Sequence, residues 1–435
     1  MGTNRSRRNF LKMLGAGTCG TIAHNVLNPY NGLVAYAQSM PTPGADLPVL
    51  VVVNMSGGCS YNLAPIYNGA YRDKNPNISF GPEAASVVNN MPAGSHALDE
   101  NQGLHPALTG LAKIYHEDKN LALINQVGYP NPNRSHDEST QIWFRGIRTG
   151  GNGGGGVAGW GARLTSQMAS VNAGFSLGGS NLLINGGMNP PRSLGSIQNM
   201  TEGNLPYGTG NTWFQMTRDE LALNLGSQYS DTKHNRQIVA AAIESAGKAS
   251  VALKAETNKP LPAGITFQTN GNGFANECLQ AAQLIRAKSL GVQFIYMEIG
   301  GFDTHSMERT NLNNRLTQLN SGLTSLADFL KHPEINRWKD VTIVTMTEFC
   351  RTFENGSEGT DHGHAGPMLV MGGGVKQGIK SPTPTAAQIT SANGYLHQYA
   401  VDFREPFYGA IKKMGLNADL VFPETFNTKN LDIFS

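Results

Sequence analysis

The sequence predicts an α/β fold, a mostly parallel central sheet flanked by helices. Three observations predict it. Runs such as Leu47 to Met55 (L-P-V-L-V-V-V-N-M) and Val341 to Thr347 are almost unbroken in aliphatic and β-branched residues, the composition of a strand buried on both faces. Stretches of helical spacing alternate with these runs, as parallel sheets require. Each run also ends in a loop rich in Gly, Ser, Asn, Asp or His, and ligands of open parallel sheets bind outside the carboxyl ends of the strands.

In chain order, Leu47 to Met55 is the first strand, ending in Ser56-Gly57-Gly58-Cys59-Ser60-Tyr61-Asn62. Tyr67 to Ala97 is polar, rich in Asn, Pro and Gly, and reads as loop. Leu104 to Glu117 is a helix with Leu108, Leu111, Ala112 and Tyr115 on its apolar stripe. Asn120 to Val127 is the second strand. Pro130 and Pro132 stop regular structure after it, and Ser135 is placed to cap a helix from Asp137 to Arg145 with acidic residues in its first turn. Gly150 to Gly156 lacks the Lys-Ser/Thr ending of a phosphate loop and reads as flexible. Further helices are expected from Gly159 to Gln167, Ser230 to Asn258 and Phe274 to Ser289, with irregular chain and short strands between the first two. Val292 to Ile299 is the third strand, ending in Gly300-Gly301-Phe302-Asp303-Thr304-His305. Leu312 to Lys331 is a long helix whose leucine stripe reads as core. The strand from Val341 follows, then one at Met368 to Met371, and a last helix from Val401 to Met414. These elements predict one domain from about residue 45 to 430, with an irregular insertion at about 175–270.

Of the 435 residues, 39% are hydrophobic and 15% charged, and the formal net charge is +2. The chain can bury a large core, and nothing in its charge marks a nucleic-acid binder. Residues 1–37 read as an address. Ser6-Arg7-Arg8-Asn9-Phe10-Leu11-Lys12 resembles a twin-arginine signal, a weakly apolar stretch follows, and Ala35-Tyr36-Ala37 has the form of a cleavage site. The expectation is a mature chain starting near Gln38, exported by the twin-arginine translocase to the periplasm or beyond. No later stretch is long and apolar enough to span a membrane. Without Cys19, three cysteines remain: Cys59, Cys278 and Cys350. There is no Cys-x-x-Cys, so buried free thiols are expected, and a Cys59–Cys350 pair stays open.

Four strand ends carry polar clusters: Ser60/Asn62, Ser135/His136, Asp303/His305, and Glu348/Arg351 with Asp361, His362 and His364 beyond them. Parallel strands bring these ends to one edge, although the residues lie far apart in sequence. Carboxylates supply charge and neutral imidazoles supply nitrogen to a zinc-like divalent ion. The expected ligand set is therefore Asp303, His305, Glu348, Asp361, His362 and His364, with Ser60 beside it.

The chain resembles the DUF1501 family of exported bacterial proteins, from Val49 to about Met414. The stretches that carry the resemblance are L-H-P-A-L at Leu104, G-Y-P-N-P-N-R-S-H at Gly128, G-G-F-D-T-H at Gly300, T-E-F-C-R-T at Thr347, T-D-H-G-H at Thr360 and M-G-G-G-V-K at Met371. More distantly it resembles the alkaline phosphatase and sulfatase superfamily. That resemblance implies an alkaline-phosphatase-like sheet, one or two divalent ions, and hydrolysis of anionic phosphate or sulfate esters. It implies that Asp303 and His305 are the aspartate and histidine of one metal, and that His364 is the late metal histidine, with His362 the competing choice. Ser135 stands where the nucleophile would be, and Arg134 or Arg351 would hold the substrate's oxygens. Two departures mark the chain. The first strand ends in Cys59-Ser60-Tyr61-Asn62 with no carboxylate, and Glu348 is followed by Phe349 where the superfamily has an Asp-His pair. A non-catalytic exported protein of this fold, binding a polyanion or an envelope partner, is the alternative expectation.

Overall fold

The computed structural model describes residues 46–82, 87–88, 91–92, 94–148, 157–170, 172–197 and 250–435. The leader at 1–37, the glycine-rich stretch at 150–156, the part of the insertion at 198–249 and most of the helix expected from Ser230 lie outside the described residues.

Among the described residues, nine strands form one sheet. They are β1 (Val49–Ser56), β2 (Leu121–Gly128), β3 (Gly174–Ser176), β4 (Arg192–Ser193), β5 (Phe294–Gly300), β6 (Val341–Met346), β7 (Gly366–Met371), β8 (Gly378–Ile379) and β9 (Val401–Asp402). The order is β8-β2-β7-β6-β1-β5-β3-β4, with β9 also paired to β2. β1 is central, parallel to β6 with Val49 opposite Val341 and parallel to β5 with Leu50 opposite Phe294. Alternate β1 residues enter different cores. Val49, Val51 and Val53 pack under α1 (Thr109–His116), α4 (Gly273–Arg286) and α5 (Glu308–Lys331). Leu50 and Val52 pack under α2 (His136–Arg145), α3 (Trp160–Thr165) and α6 (Glu405–Lys413). Helices on both faces explain why the strand sequences are nearly continuous in hydrophobic residues. The leucine stripe of α5, Leu316 to Leu330, is buried in the first core. Among the described residues no helix is long and apolar enough to cross a membrane.

The structure departs from the sequence reading at several elements. β7 runs antiparallel to both β6 and β2, with Gly366 opposite Val127. The chain between β6 and β7 contains a hairpin, Arg351–Glu354 against Thr360–His362, and no crossover helix. A parallel return needs such a crossover, so the strand comes back antiparallel. Its first residue consequently lies at the edge where β1, β2, β5 and β6 finish. Val401–Asp402 is an edge strand rather than the start of a helix, which begins at Glu405 with Pro406 in its first turn. The polar stretch after Tyr67 holds a short helix, Gly69–Lys74, capped by the Asn68 side chain on the Tyr71 amide.

Trp160 and Trp143 are core residues, as expected from sequence. Trp160 is fully buried against Phe294, Phe407 and Phe422, and its Nε1 donates to the Trp143 carbonyl at 3.0 Å. Trp160→Ala is expected to cost about 3–5 kcal/mol through cavity formation, read as a lowered midpoint in urea unfolding with the slope unchanged. A midpoint equal to that of the unaltered chain would show that this helical layer adds little to stability.

Candidate metal centre

The centre begins with a turn. Gly57 and Gly58, just past β1, have φ of 118° and 86°, a region side chains rarely enter. A Cβ on Gly57 would lie 2.4 Å from the Asp303 nitrogen, and one on Gly58 would lie 2.5 Å from the Phe349 ring. Bare backbone therefore lets the loops after β1, β5 and β6 come together.

Arg351 joins them. Its side chain is fully buried. Nη1 donates to Asp303 Oδ1 at 2.6 Å and to the Gly57 carbonyl at 3.0 Å, Nη2 donates to the Thr360 carbonyl at 2.6 Å, and Nε donates to Thr360 Oγ1 at 3.2 Å. Burial alone would raise the Asp303 carboxyl. The hydrogen bond and charge of Arg351, with His305 and His136 adding to them, outweigh it and hold Asp303 below the ordinary carboxylate range.

Three imidazoles converge on the same oxygen. The Nε2 atoms of His305, His362 and His136 lie 3.0, 3.3 and 3.5 Å from Asp303 Oδ1. Each ring is held from behind through Nδ1: His136 by Glu348 Oε1 at 2.8 Å, His305 by Asp361 Oδ1 at 2.9 Å, and His362 by the Arg134 carbonyl at 2.8 Å. Carboxylates and carbonyls only accept, so each Nδ1 donates to its acceptor and each ring turns its other nitrogen, Nε2, inward. The Nε2 atoms of His305 and His362 are 3.1 Å apart. Two nitrogens at that distance share either a proton or a cation between them. Histidines tied at Nδ1 to carboxylate or carbonyl are also how metal-binding imidazoles are oriented. The described residues thus suit a divalent ion with His136, Asp303 and His362 as one ligand group and His305 within reach of the same oxygen. The donors are nitrogen and oxygen only. Cys59, Cys278 and Cys350 are buried and free.

Glu348 is nearly buried. Its Oε1 accepts from the Gly57 amide at 2.9 Å as well as from His136. The Glu348 contact raises the His136 imidazole above its ordinary pKa against the opposing effect of burial, while burial lowers that of His362. Glu348 therefore acts on His136 from behind, and Asp361 acts on His305 in the same way.

Besides Glu348 and Asp361, expected as ligands and found behind the imidazoles, three more expected roles are not met. His364 stands apart: its Nδ1 donates to the His397 carbonyl at 2.9 Å, and its Nε2 accepts from the Tyr129 amide at 3.2 Å. With both nitrogens committed to backbone it has no lone pair for a metal. Its side chain points away from its neighbour His362 because residues two apart on one loop need not share a face. Ser60 is buried and donates to Glu308 Oε1 at 2.5 Å, so its hydroxyl is used one layer below the centre. Arg351 is enclosed with its donors spent on protein, which leaves no guanidinium face for a substrate. Arg134 keeps an exposed guanidinium, touching the His362 carbonyl at 3.3 Å and lying over the Tyr395 ring at 5.0 Å. Ser135 is exposed at the N-cap of α2 and makes no side-chain capping bond.

Two residues of the centre were not in the expected ligand set. His136 follows Ser135, and the only signal for it was its position at the start of a helix after a buried strand. Glu308 is fully buried. Its Oε1 also accepts from Asn62 Nδ2 at 3.0 Å, and burial raises its carboxyl. An acidic residue in a first helical turn is ordinary, so the sequence offered no signal for it.

A family model described as "Protein of unknown function (DUF1501)" matches residues 90–402. No curated protein matches the chain in sequence. Among solved structures, the chain is similar to the alkaline phosphatase of the Antarctic bacterium TAB5, at 10% identity and a TM-score of 0.33 over 85% of this chain and 99% of that one. A variant of that enzyme with magnesium bound gives 10% identity and 0.37 over 86% and 99%. A protein from Bacteroides thetaiotaomicron assigned as a sulfatase gives 8% identity and 0.32 over 88% and 76%.

Removing the buried guanidinium should unfasten three loops at once. Arg351→Leu is expected to destabilise the chain by about 3 kcal/mol, since breaking a buried charge pair on one side costs that order. Arg351→Lys should recover only part, because an ammonium cannot reach all four acceptors. Urea unfolding of both variants checks this, and equal stability of Arg351→Leu and the unaltered chain would dismiss the anchor.

Proposed function

We propose that this chain, which belongs to the DUF1501 family, is an exported, divalent-metal-dependent hydrolase of phosphate or sulfate esters. The observation that carries the reading is the convergence of three Nε2 atoms on Asp303 Oδ1, each ring fixed from behind by an acceptor. Zinc is the ion the donor set suits best, being borderline-soft and at home with imidazole and carboxylate. One ion accounts for the described cluster. When bound, such an ion would neutralise the ester's negative charge and favour an alkoxide.

The chain's own groups supply the rest. Ser135 is exposed with its hydroxyl free of capping, at the first turn of a ten-residue helix whose amides favour an anion. In the proposed reaction Ser135 Oγ bonds to phosphorus or sulfur as the ester's P–O or S–O bond to the alcohol breaks, and the serine proton ends on the departing alcohol oxygen. Water then cleaves the seryl ester, releasing phosphate or sulfate and restoring the hydroxyl. Arg134, the exposed guanidinium at the rim, would hold non-bridging oxygens. The twin-arginine leader proposes that this takes place in the periplasm or outside the cell.

A second reading is favoured by Ser60 and its neighbours. The turn after β1 has no carboxylate and bonds inward to Glu308, and the described residues assemble one metal-ligand group. A chain with a single structural ion and no turnover would bind a polyanion through Arg134 and the same helix end.

Two measurements test these readings, the first their shared metal and the second the turnover that separates them. Metal analysis of the purified chain is expected to find a divalent ion, and Glu348→Gln, which changes the support of His136, should weaken metal affinity about 10–100-fold. His364→Ala should leave that affinity unchanged. A chain that binds no divalent ion, and whose melting temperature ignores chelators, ends the metal reading. On a panel of phosphate and sulfate esters, the unaltered chain is expected to turn over and Ser135→Ala to lose at least about 1000-fold in kcat while retaining its metal. Metal binding without turnover on any ester selects the polyanion binder.

A further inference from the structure

We propose that a hollow beside the centre is a subsite for one pyranose ring, the alcohol portion of the ester; the orientation of the ring rests on the hydrolase reading above. The hollow has a volume of about 270 Å³ and is walled by Tyr129, Pro130, Pro132, His397, Gln398 and Tyr399, the scale of one small ring rather than a polymer.

Two segments place it next to the metal centre. The loop after β2 begins at the hollow, with Tyr129 to Pro132, and ends at the centre, with Arg134, Ser135 and His136. On the other side, His362 faces Asp303 and His364 backs the hollow, two residues further on, which is about 7 Å of extended chain. An anionic ester held at the centre would therefore carry its organic part into the hollow. Arg134 bridges the two, with its carbonyl on His362 and its guanidinium over Tyr395. His397 packs on the other partner of that stack, its ring 3.9 Å from that of Tyr395. These contacts brace the outer wall.

The lining selects the chemistry. Pro130, Pro132 and the partly exposed Tyr399 supply apolar surface. Among the described residues, the side chains of Asn131, Gln398 and Tyr399 make no hydrogen bond, which leaves two amides and a phenol unspent around it. The rings meet edge-on: Tyr129 and His364 at 80°, His364 and Tyr399 at 72°. Neither pair stacks face to face, so these contacts offer no ready-made stacked pair for a flat aryl group to extend. A pyranose matches this, having apolar C–H faces and a rim of hydroxyls that both donate and accept. His364 is a wall only, since its nitrogens are committed.

The test is binding, measured on the full mature chain by calorimetry with saturation-transfer NMR. The probes are glucose 6-phosphate, N-acetylglucosamine 6-sulfate, ethyl phosphate and phenyl phosphate. The sugar esters are expected to bind at least about tenfold tighter than ethyl phosphate, with saturation reaching the ring C–H protons. Tyr399→Ala and Gln398→Ala should each remove most of that advantage while leaving metal content and ethyl phosphate affinity unchanged. Tyr399→Phe, which keeps the ring and loses the hydroxyl, should lose part of it and serves if the alanine variant does not fold. Sugar esters that bind no tighter than ethyl phosphate overturn the subsite. So does tighter binding of phenyl phosphate, or a loss that falls on all probes alike. Sugar-ester binding without turnover upholds the subsite and removes the hydrolase reading, whereas turnover without sugar preference does the reverse.

Discussion

The centre depends on a buried guanidinium. Arg351 is out of water, and a charge in that position is tolerated only when it is paired and hydrogen-bonded. The partners it finds are the carbonyl after β1, the Asp303 carboxylate after β5, and Thr360 on the returning hairpin. These are the loops that must meet for the imidazoles to converge. The electrostatic need of one side chain and the assembly of the site are thus the same event. Gly57 and Gly58 make it sterically feasible, because any Cβ there would hold the loops apart.

Around that anchor the charges are layered. Asp303 faces the imidazoles and is half exposed, Glu348 and Asp361 stand behind two of them, and Glu308 lies deeper among Ser60 and Asn62. Each acid has a defined donor. Fixing every Nδ1 leaves the Nε2 atoms of His305 and His362 facing each other and the Asp303 oxygen that Arg351 also holds. A divalent cation among them would find nitrogen and oxygen donors already aimed at it. That arrangement distinguishes this cluster from the ordinary polar surface that ends most strands.

Much of the fold was legible because burial on both faces writes itself into composition. β1, β2, β5 and β6 were readable as near-continuous aliphatic runs, and α5 as a leucine stripe. The direction of β7 was not, since a strand's composition is the same whichever way it runs. The short edge strands and the hairpin at Arg351 were not legible either, being defined by partners rather than by pattern. In the site, the gathering of Asp303, His305, Glu348, Asp361 and His362 followed from their places beyond parallel strands. His364 shares its tripeptide with His362 yet serves the backbone of Tyr129 and His397, and nothing in D-H-G-H separates the two.

By itself the sequence determined which segments are buried, that they alternate with helices, and that acids and imidazoles are concentrated at strand ends. Those properties are local: hydrophobic pattern and strand termini depend only on neighbouring residues. The tertiary structure decided which nitrogen of which histidine faces inward, that His136 joins the group, and that Arg351 and Ser60 are spent on protein. Those are properties of pairs far apart in the chain. A histidine turns Nε2 to the cluster or spends it on backbone according to partners that distant parts of the chain deliver.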